Sequence, residues 1–209
     1  MDRKGILLVV SGFSGAGKGT LMKELVGHYD NYALSISATT RSPREGELDG
    51  REYFFRTKEE FEQMIADDAL IEHACYVGNY YGTPRAYVEE QLALGRDVIL
   101  EIEIQGALQI KKRFPDTLLL FVSTPDAETL KNRLIGRGTE SLDVVEKRLS
   151  RASEEAEGIE NYDYFIINDD LDTCVTQVHQ IIQGEHSRVS RNLELINTIK
   201  KDISKFQKG

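Results

Sequence analysis

Glycines, a lysine and a threonine crowd the stretch Gly12-Phe13-Ser14-Gly15-Ala16-Gly17-Lys18-Gly19-Thr20. The pattern G-x-x-x-x-G-K inside it suits a loop that cradles phosphates. Glycines at 12, 15, 17 and 19 permit close approach and unusual backbone angles, so successive N–H groups can turn inward around phosphate oxygens at a helix N-terminus. Lys18 adds a mobile cation for the β- and γ-phosphates of a nucleoside triphosphate. The motif ordinarily continues with Ser or Thr. Here Gly19 stands in that place and Thr20 follows one step later, within reach of phosphate or of a metal-bound water.

A second group suits a smaller anion. Ser37-Ala38-Thr39-Thr40-Arg41-Ser42-Pro43-Arg44 sets two arginines three residues apart beside hydroxyls, with Tyr53 downstream, and guanidinium forks match phosphate oxygens two at a time. Taken singly, such arginines form a solvated basic face about as often as a site. Glu101 and Glu103 alternate with Ile102 and Ile104 at the end of an apolar run, where carboxylates are costly without cations, metal-bound water or substrate donors. Arg133, Arg137 and Arg148 lie in an Arg- and Glu-rich region. Helix-surface ion pairs are the plainer reading of each.

These groups need a scaffold. Ile6-Leu7-Leu8-Val9-Val10, running straight into the glycine loop, reads as a strand buried on both faces of a parallel sheet, with Thr20 to Val26 as the following helix. Asp97–Leu100, Thr117–Val122 and Tyr164–Ile167 repeat the strand pattern with helix-like stretches between them, which predicts a doubly wound α/β sheet. The core is expected over residues 1–36, 91–125 and 158–209. Residues 37–90 are Tyr-rich and turn-rich and read as an inserted, mostly antiparallel lobe. Residues 126–157 read as a helical lid. Asn168-Asp169-Asp170 follows the last strand at the carboxyl edge, where such sheets place ligands, although plain turn chemistry would explain it equally.

The order of the motifs is more specific than any one of them. SxTTRxPRxGExxGxxY, then Ile71-Glu72, then Asn79-Tyr80-Tyr81-Gly82-Thr83, an acidic strand followed by Gln105-Gly106, Gly136-Arg137-Gly138-Thr139 and Asn168-Asp169-Asp170 together resemble the guanylate kinase family, from residue 6 to about 184. The resemblance implies a three-layer P-loop kinase fold and transfer of the γ-phosphoryl group of Mg-ATP to GMP. It implies that Gly12 to Thr20 and Asn168 hold ATP. Ser37, Arg41, Arg44, Tyr53, Glu72, Tyr81, Gly82, Thr83 and Glu101 would hold GMP, with Lys18, Arg41, Arg133, Arg137 and Arg148 acting on the transferring group. Mg²⁺ would arrive on the ATP phosphates, assisted by Thr20 or Glu101 through water. A carboxylate such as Glu72 suits guanine, whose N1–H and exocyclic amine are adjacent donors, whereas adenine offers an acceptor at N1. Where family members carry aspartate, this chain has Glu101 and Glu103, one methylene longer each.

Two rival readings stay in view. Gly17-Lys18-Gly19-Thr20 also resembles the loop ending of adenylate kinases, which favours another monophosphate acceptor, but Glu72 and the arginine pair argue against it. A guanylate-kinase-like interaction module that binds phosphorylated protein segments would typically lack the intact phosphate loop retained here.

The composition fits a single enzyme domain acting on small molecules. At 209 residues, 40% hydrophobic and 29% charged, the chain can bury a full core. A net charge of -9 argues against nucleic-acid polymers or anionic membranes as partners. Two distant cysteines, Cys75 and Cys174, suggest neither a disulfide framework nor a zinc site. The first apolar run is too short for a signal core, so a cytoplasmic location is expected. From Val189 to Phe206 an apolar stripe recurs at helical spacing, leaving open whether this tail packs on its own core or on a second subunit.

Overall fold

A computed structural model of the chain describes residues 4–76, 78–136, 148–150, 152–153 and 155–206. In chain order the elements are β1 (Leu7–Gly12), α1 (Lys18–His28), β2 (Tyr32–Leu34), β3 (Ala38–Thr39), β4 (Phe54–Phe55), α2 (Lys58–Ala66), β5 (Leu70–Tyr76), β6 (Asn79–Pro84) and α3 (Arg85–Ala93). There follow β7 (Asp97–Glu101), α4 (Ile104–Arg113), β8 (Leu118–Ser123), α5 (Ala127–Gly136), β9 (Tyr164–Ile167), α6 (Leu171–His186) and α7 (Leu193–Lys205). Residues 148–150, 152–153 and 155–156 are also helical.

The main sheet runs β2-β7-β1-β8-β9 with every pairing parallel. Side chains of a strand alternate between its faces, and β1 shows why its sequence is apolar throughout. Leu8 and Val10 pack with Leu21 and Leu25 of α1 and with Val175 and Val178 of α6. Val9 points the other way, into a cluster with Val88 of α3 and Ala107 and Ile110 of α4. Helices on both faces give the three-layer α/β architecture, and all six residues of β8 are buried. The last apolar run behaves differently. Only Ile166 of β9 is buried, while Phe165 and Ile167 are exposed, because β9 is the edge strand of the sheet.

A second sheet of order β4-β3-β6-β5 is antiparallel except for the β3–β4 pair. It closes a small core of Ala38, Phe61 and Leu70 under α2. Thr57 and Glu60 form a capping box at the start of α2, satisfying two otherwise orphaned backbone donors. This sheet is tied to the first through α4: Arg113 Nη1 donates to the Ile71 carbonyl at 3.3 Å, and its Nη2 pairs with Asp68.

The C-terminal stripe does not run as one helix. α6 ends at His186 and α7 starts at Leu193, with a 3-10 turn at Val189–Arg191 between them. The junction is anchored at buried sites. His186 Nε2 bonds Asp97 Oδ1 at 2.7 Å, and Glu185 accepts from the Tyr164 hydroxyl at 2.8 Å while pairing with Arg188 and Arg191. Beyond it no residue of α7 is buried. Among the described residues no helix is long and apolar enough to cross a membrane.

Candidate functional site

The glycine loop leaves the carboxyl end of β1 and enters α1 with Gly17 as its N-cap, in left-handed backbone. Gly17 has φ +87, and a Cβ there would stand 2.6 Å from Asn168 Nδ2; glycine alone meets both conditions. The first turn of α1 carries no acidic residue and no side-chain cap, which leaves its N–H groups and the positive end of the helix dipole for an anion. Phe13 seats the loop by packing edge-on against Phe121, ring centroids 5.0 Å apart. Asn168 supports it from below: 5% exposed, it donates Nδ2 to the Ala16 carbonyl at 2.8 Å.

Lys18 lies folded over the loop, its Nζ donating to the carbonyls of Gly12 at 2.7 Å and Phe13 at 3.2 Å. Arg148 reaches the same loop, Nη1 donating to Ser14 Oγ at 3.1 Å. Glu101 ends β7 beside them, with Oε2 3.9 Å from where a Cβ on Gly19 would stand. It opens onto the cleft, yet protein crowds its other sides. That desolvation lifts its carboxyl above the usual glutamate range against the pull of Lys18. Ser11 Oγ donates to the Ile102 carbonyl at 2.6 Å, fastening the glycine-loop strand to the acidic turn.

A cavity of about 560 Å³ joins the two halves of the site. Gly12, Ser14, Lys18 and Arg148 line it together with Ser37, Tyr53, Glu101 and Glu103. Behind Tyr53 stands Arg41, its guanidinium carbon 5.2 Å from the ring centroid, and the rings of Tyr53 and Tyr81 lie 6.1 Å apart. Arg44 is exposed on the same loop. Glu72, on β5, accepts from Thr83 Oγ1 at 2.7 Å through one oxygen, and its other oxygen faces Gly106, 3.6 Å from the position of a Cβ there. Burial raises its carboxyl above the ordinary range, opposed by the Thr83 hydrogen bonds. Gly82 permits this arrangement, since a Cβ on it would meet the Glu72 carbonyl at 2.8 Å and the Phe61 ring at 3.0 Å.

Several sequence-derived expectations change in detail. Thr83 is fully buried and its hydroxyl is directed at Glu72, so it orients the carboxylate. Asn168 is engaged with the loop backbone. Arg133 does not line the cavity; its Nη2 reaches the Asp169 carbonyl at 3.5 Å. Arg137 lies outside the described residues. Thr20 is exposed in the first turn of α1. Ser35, Glu52 and Glu155 also line the cavity without belonging to any pattern that would have singled them out. Among the described residues no group of three or more His, Cys, Asp and Glu is placed to hold a metal alone. Glu101 and Thr20, both beside the start of α1, form a donor set suited to a cation carried mainly by phosphates.

Comparison with known proteins agrees with this geometry. Residues 4–185 match the family model described as guanylate kinase. The chain is 52% identical over 191 residues to a guanylate kinase of Bacillus cereus, spanning 91% of this chain and 93% of that one. It is 47% identical over 208 residues to the guanylate kinase of Listeria innocua, spanning 99% of this chain and 100% of that one. The crystal structure of guanylate kinase from Anaplasma phagocytophilum superposes with a TM-score of 0.72 at 30% identity, covering 90% of this chain and 89% of that chain. With the phosphate loop and Ser37 and Tyr53 lining one cleft, and with similarity running through nearly the whole chain, the protein belongs to the guanylate kinase family.

Proposed function

We propose that the protein transfers the γ-phosphoryl group of ATP to GMP, giving ADP and GDP. The observation that supports this most is that Lys18 and the glycine loop line the same cleft as Ser37 and Tyr53. Two nucleotides can enter it from opposite ends and bring their phosphates together.

The amides of Gly12 to Thr20 and the Lys18 ammonium hold the β- and γ-phosphates of ATP, with Asn168 keeping the loop in shape. Arg41, Arg44, Tyr53 and Tyr81 hold the GMP phosphate. Glu72, oriented by Thr83, accepts from guanine N1–H and the exocyclic amine, and Ser37 lies along the same acceptor side. The attacking phosphate oxygen is already anionic, so no general base is needed and positioning with charge stabilisation accounts for the rate. Lys18, Arg41 and Arg148 neutralise charge spread over the equatorial oxygens, a role the family resemblance extends to Arg133 and Arg137. Glu101 and Thr20 would approach Mg²⁺ through water, and the ion, arriving with ATP, would supply Lewis-acid stabilisation of the phosphates. Closure of the lobe at residues 37–90 excludes water, the competing acceptor.

A pocket that leaves Glu72 without donors when adenine enters discriminates by roughly 10⁴. dGMP presents the same base edge and phosphate and is expected as a second acceptor. The exposed apolar face of α7 meets a second subunit, and the protein works in the cytoplasm. A coupled assay offering ATP with GMP, AMP, CMP, UMP or dTMP tests the reading: ADP formation should depend on GMP far above the rest. Equal turnover with AMP would point to the adenylate kinase alternative, and no turnover with any acceptor to a binding module.

A further inference from the structure

In the loop between β3 and β4, one carboxylate holds both arginines of the proposed clamp. Glu47 Oε1 accepts from Arg41 Nη2 at 3.0 Å, and Oε2 accepts from the backbone N–H of Arg44 at 2.7 Å. The pair is shielded, with each side chain 16% exposed. On its other edge Arg41 Nη1 donates to the Ser42 carbonyl at 2.7 Å, and the Tyr53 ring lies beside the guanidinium. A guanidinium has five N–H donors; Glu47 and Ser42 take one each and the Tyr81 side chain engages the group as well, which still leaves donors for a phosphate. Glu47 is itself fixed, since its backbone N–H donates to the Arg44 carbonyl at 3.1 Å and Gly46 before it turns at φ +84. Two neighbouring carboxylates close the same loop: Glu52 accepts from Leu48 N–H at 2.8 Å and Asp49 from Phe55 N–H at 2.7 Å.

We propose that Glu47 is a positioning residue for acceptor binding: it sets the Arg41 guanidinium and the Arg44 backbone in place before the acceptor phosphate arrives. The inference rests on the reading that Arg41 holds that phosphate. A long arginine side chain loses rotamer freedom when it grips a ligand, and a group already held loses less. The charge of Glu47 acts in the opposite direction, because a carboxylate beside the clamp repels an incoming phosphate. The two effects give mutations opposite signs. The Arg44 amide, opposed by partial desolvation and reinforced by Arg41, holds the Glu47 carboxyl below the ordinary glutamate range, so the carboxylate is ionised at neutral pH.

Steady-state kinetics of the full chain decide between them, with thermal unfolding of each variant measured alongside. Glu47→Ala is expected to raise KM for GMP about tenfold or more, with KM for ATP changed by less than about twofold. Glu47→Gln should fall between, because its amide oxygen keeps one of the two acceptors. Inhibition by guanosine, which has no phosphate, should be unchanged. In an Arg41→Ala background, Glu47→Ala should add less than about threefold to KM for GMP. A KM for GMP that stays level or falls in Glu47→Ala, while Arg41→Ala raises it, overturns the proposal and leaves the clamp intact. Equal loss of guanosine and GMP binding also overturns it, by showing a loop that merely collapses. If Arg41→Ala leaves KM for GMP unchanged, the clamp reading fails and the role of Glu47 falls with it.

Discussion

Glu72 has one oxygen committed to Thr83 and the other turned toward the space beside Gly106, and its ionisation decides what it can recognise. Only the carboxylate accepts from both guanine donors. Because burial raises its pKa, acid should neutralise it at a higher pH than an ordinary glutamate. The ratio of kcat/KM for GMP between the wild type and Glu72→Gln should therefore fall as the pH drops through that raised value; the substrate's own phosphate titration is common to both enzymes and cancels. The stability effect has the opposite sign. Both folded and unfolded carboxyls are protonated at low pH, so the burial penalty is complete only above the raised folded pKa, shrinks as pH falls below it, and is gone below the unfolded pKa. Thermal unfolding should show Glu72→Gln gaining on the wild type at neutral pH and losing that gain in acid. Acceptor selectivity gives the plainest readout at this scale: Glu72→Ala should narrow the preference for GMP over AMP by at least about tenfold, and an unchanged ratio would remove the base-reading role.

The phosphate loop depends on the turn after β9 as well as on its own residues. Asn168→Ala removes the buried donor to the Ala16 carbonyl, which should lower stability by about 1–3 kcal/mol and raise KM for ATP more than KM for GMP; chemical denaturation and kinetics on the same variant check both. Much at this scale was legible in the sequence. The apolar run, glycine loop and helix from Ile6 to Val26 agree in period, spacing and turn chemistry, and the structure places β1 and α1 there. Other features depend on tertiary neighbours. Tyr164–Ile167 reads as apolar as a central strand, yet β9 lies at the sheet edge. Thr83 reads as a hydroxyl available to ligand, and only the pairing of β5 with β6 reveals that Glu72 claims it. Glu47 stands in plain view within the motif, but its link to Arg41 needs the loop to close.

At the scale of the whole molecule, the candidate site sits at the carboxyl ends of the parallel strands, and α7 departs from the opposite side. His186 pairs with Asp97 at the start of β7, and Arg191 Nη2 donates to the Asp116 carbonyl just before β8 at 2.9 Å. The tail is thus firmly rooted, yet Leu193, Ile199, Ile203 and Phe206 remain exposed. A helix of this length is marginal in water without a surface to bury its apolar face. A second subunit on that face would leave the cleft open. Ile199→Asp with Ile203→Asp should therefore lower the mass measured by light scattering in solution while leaving kcat with GMP within about twofold. A wild type that is already monomeric at assay concentrations would contradict this.

The account as a whole requires donor and acceptor nucleotides to occupy one cleft face to face. A bisubstrate ligand joining adenosine to guanosine through a chain of phosphates tests this directly in steady-state inhibition. The geometry predicts competition against both ATP and GMP, with far tighter binding than either nucleotide alone, lost when Lys18 or Arg41 is replaced by alanine. Competition against only one of the two substrates would contradict it.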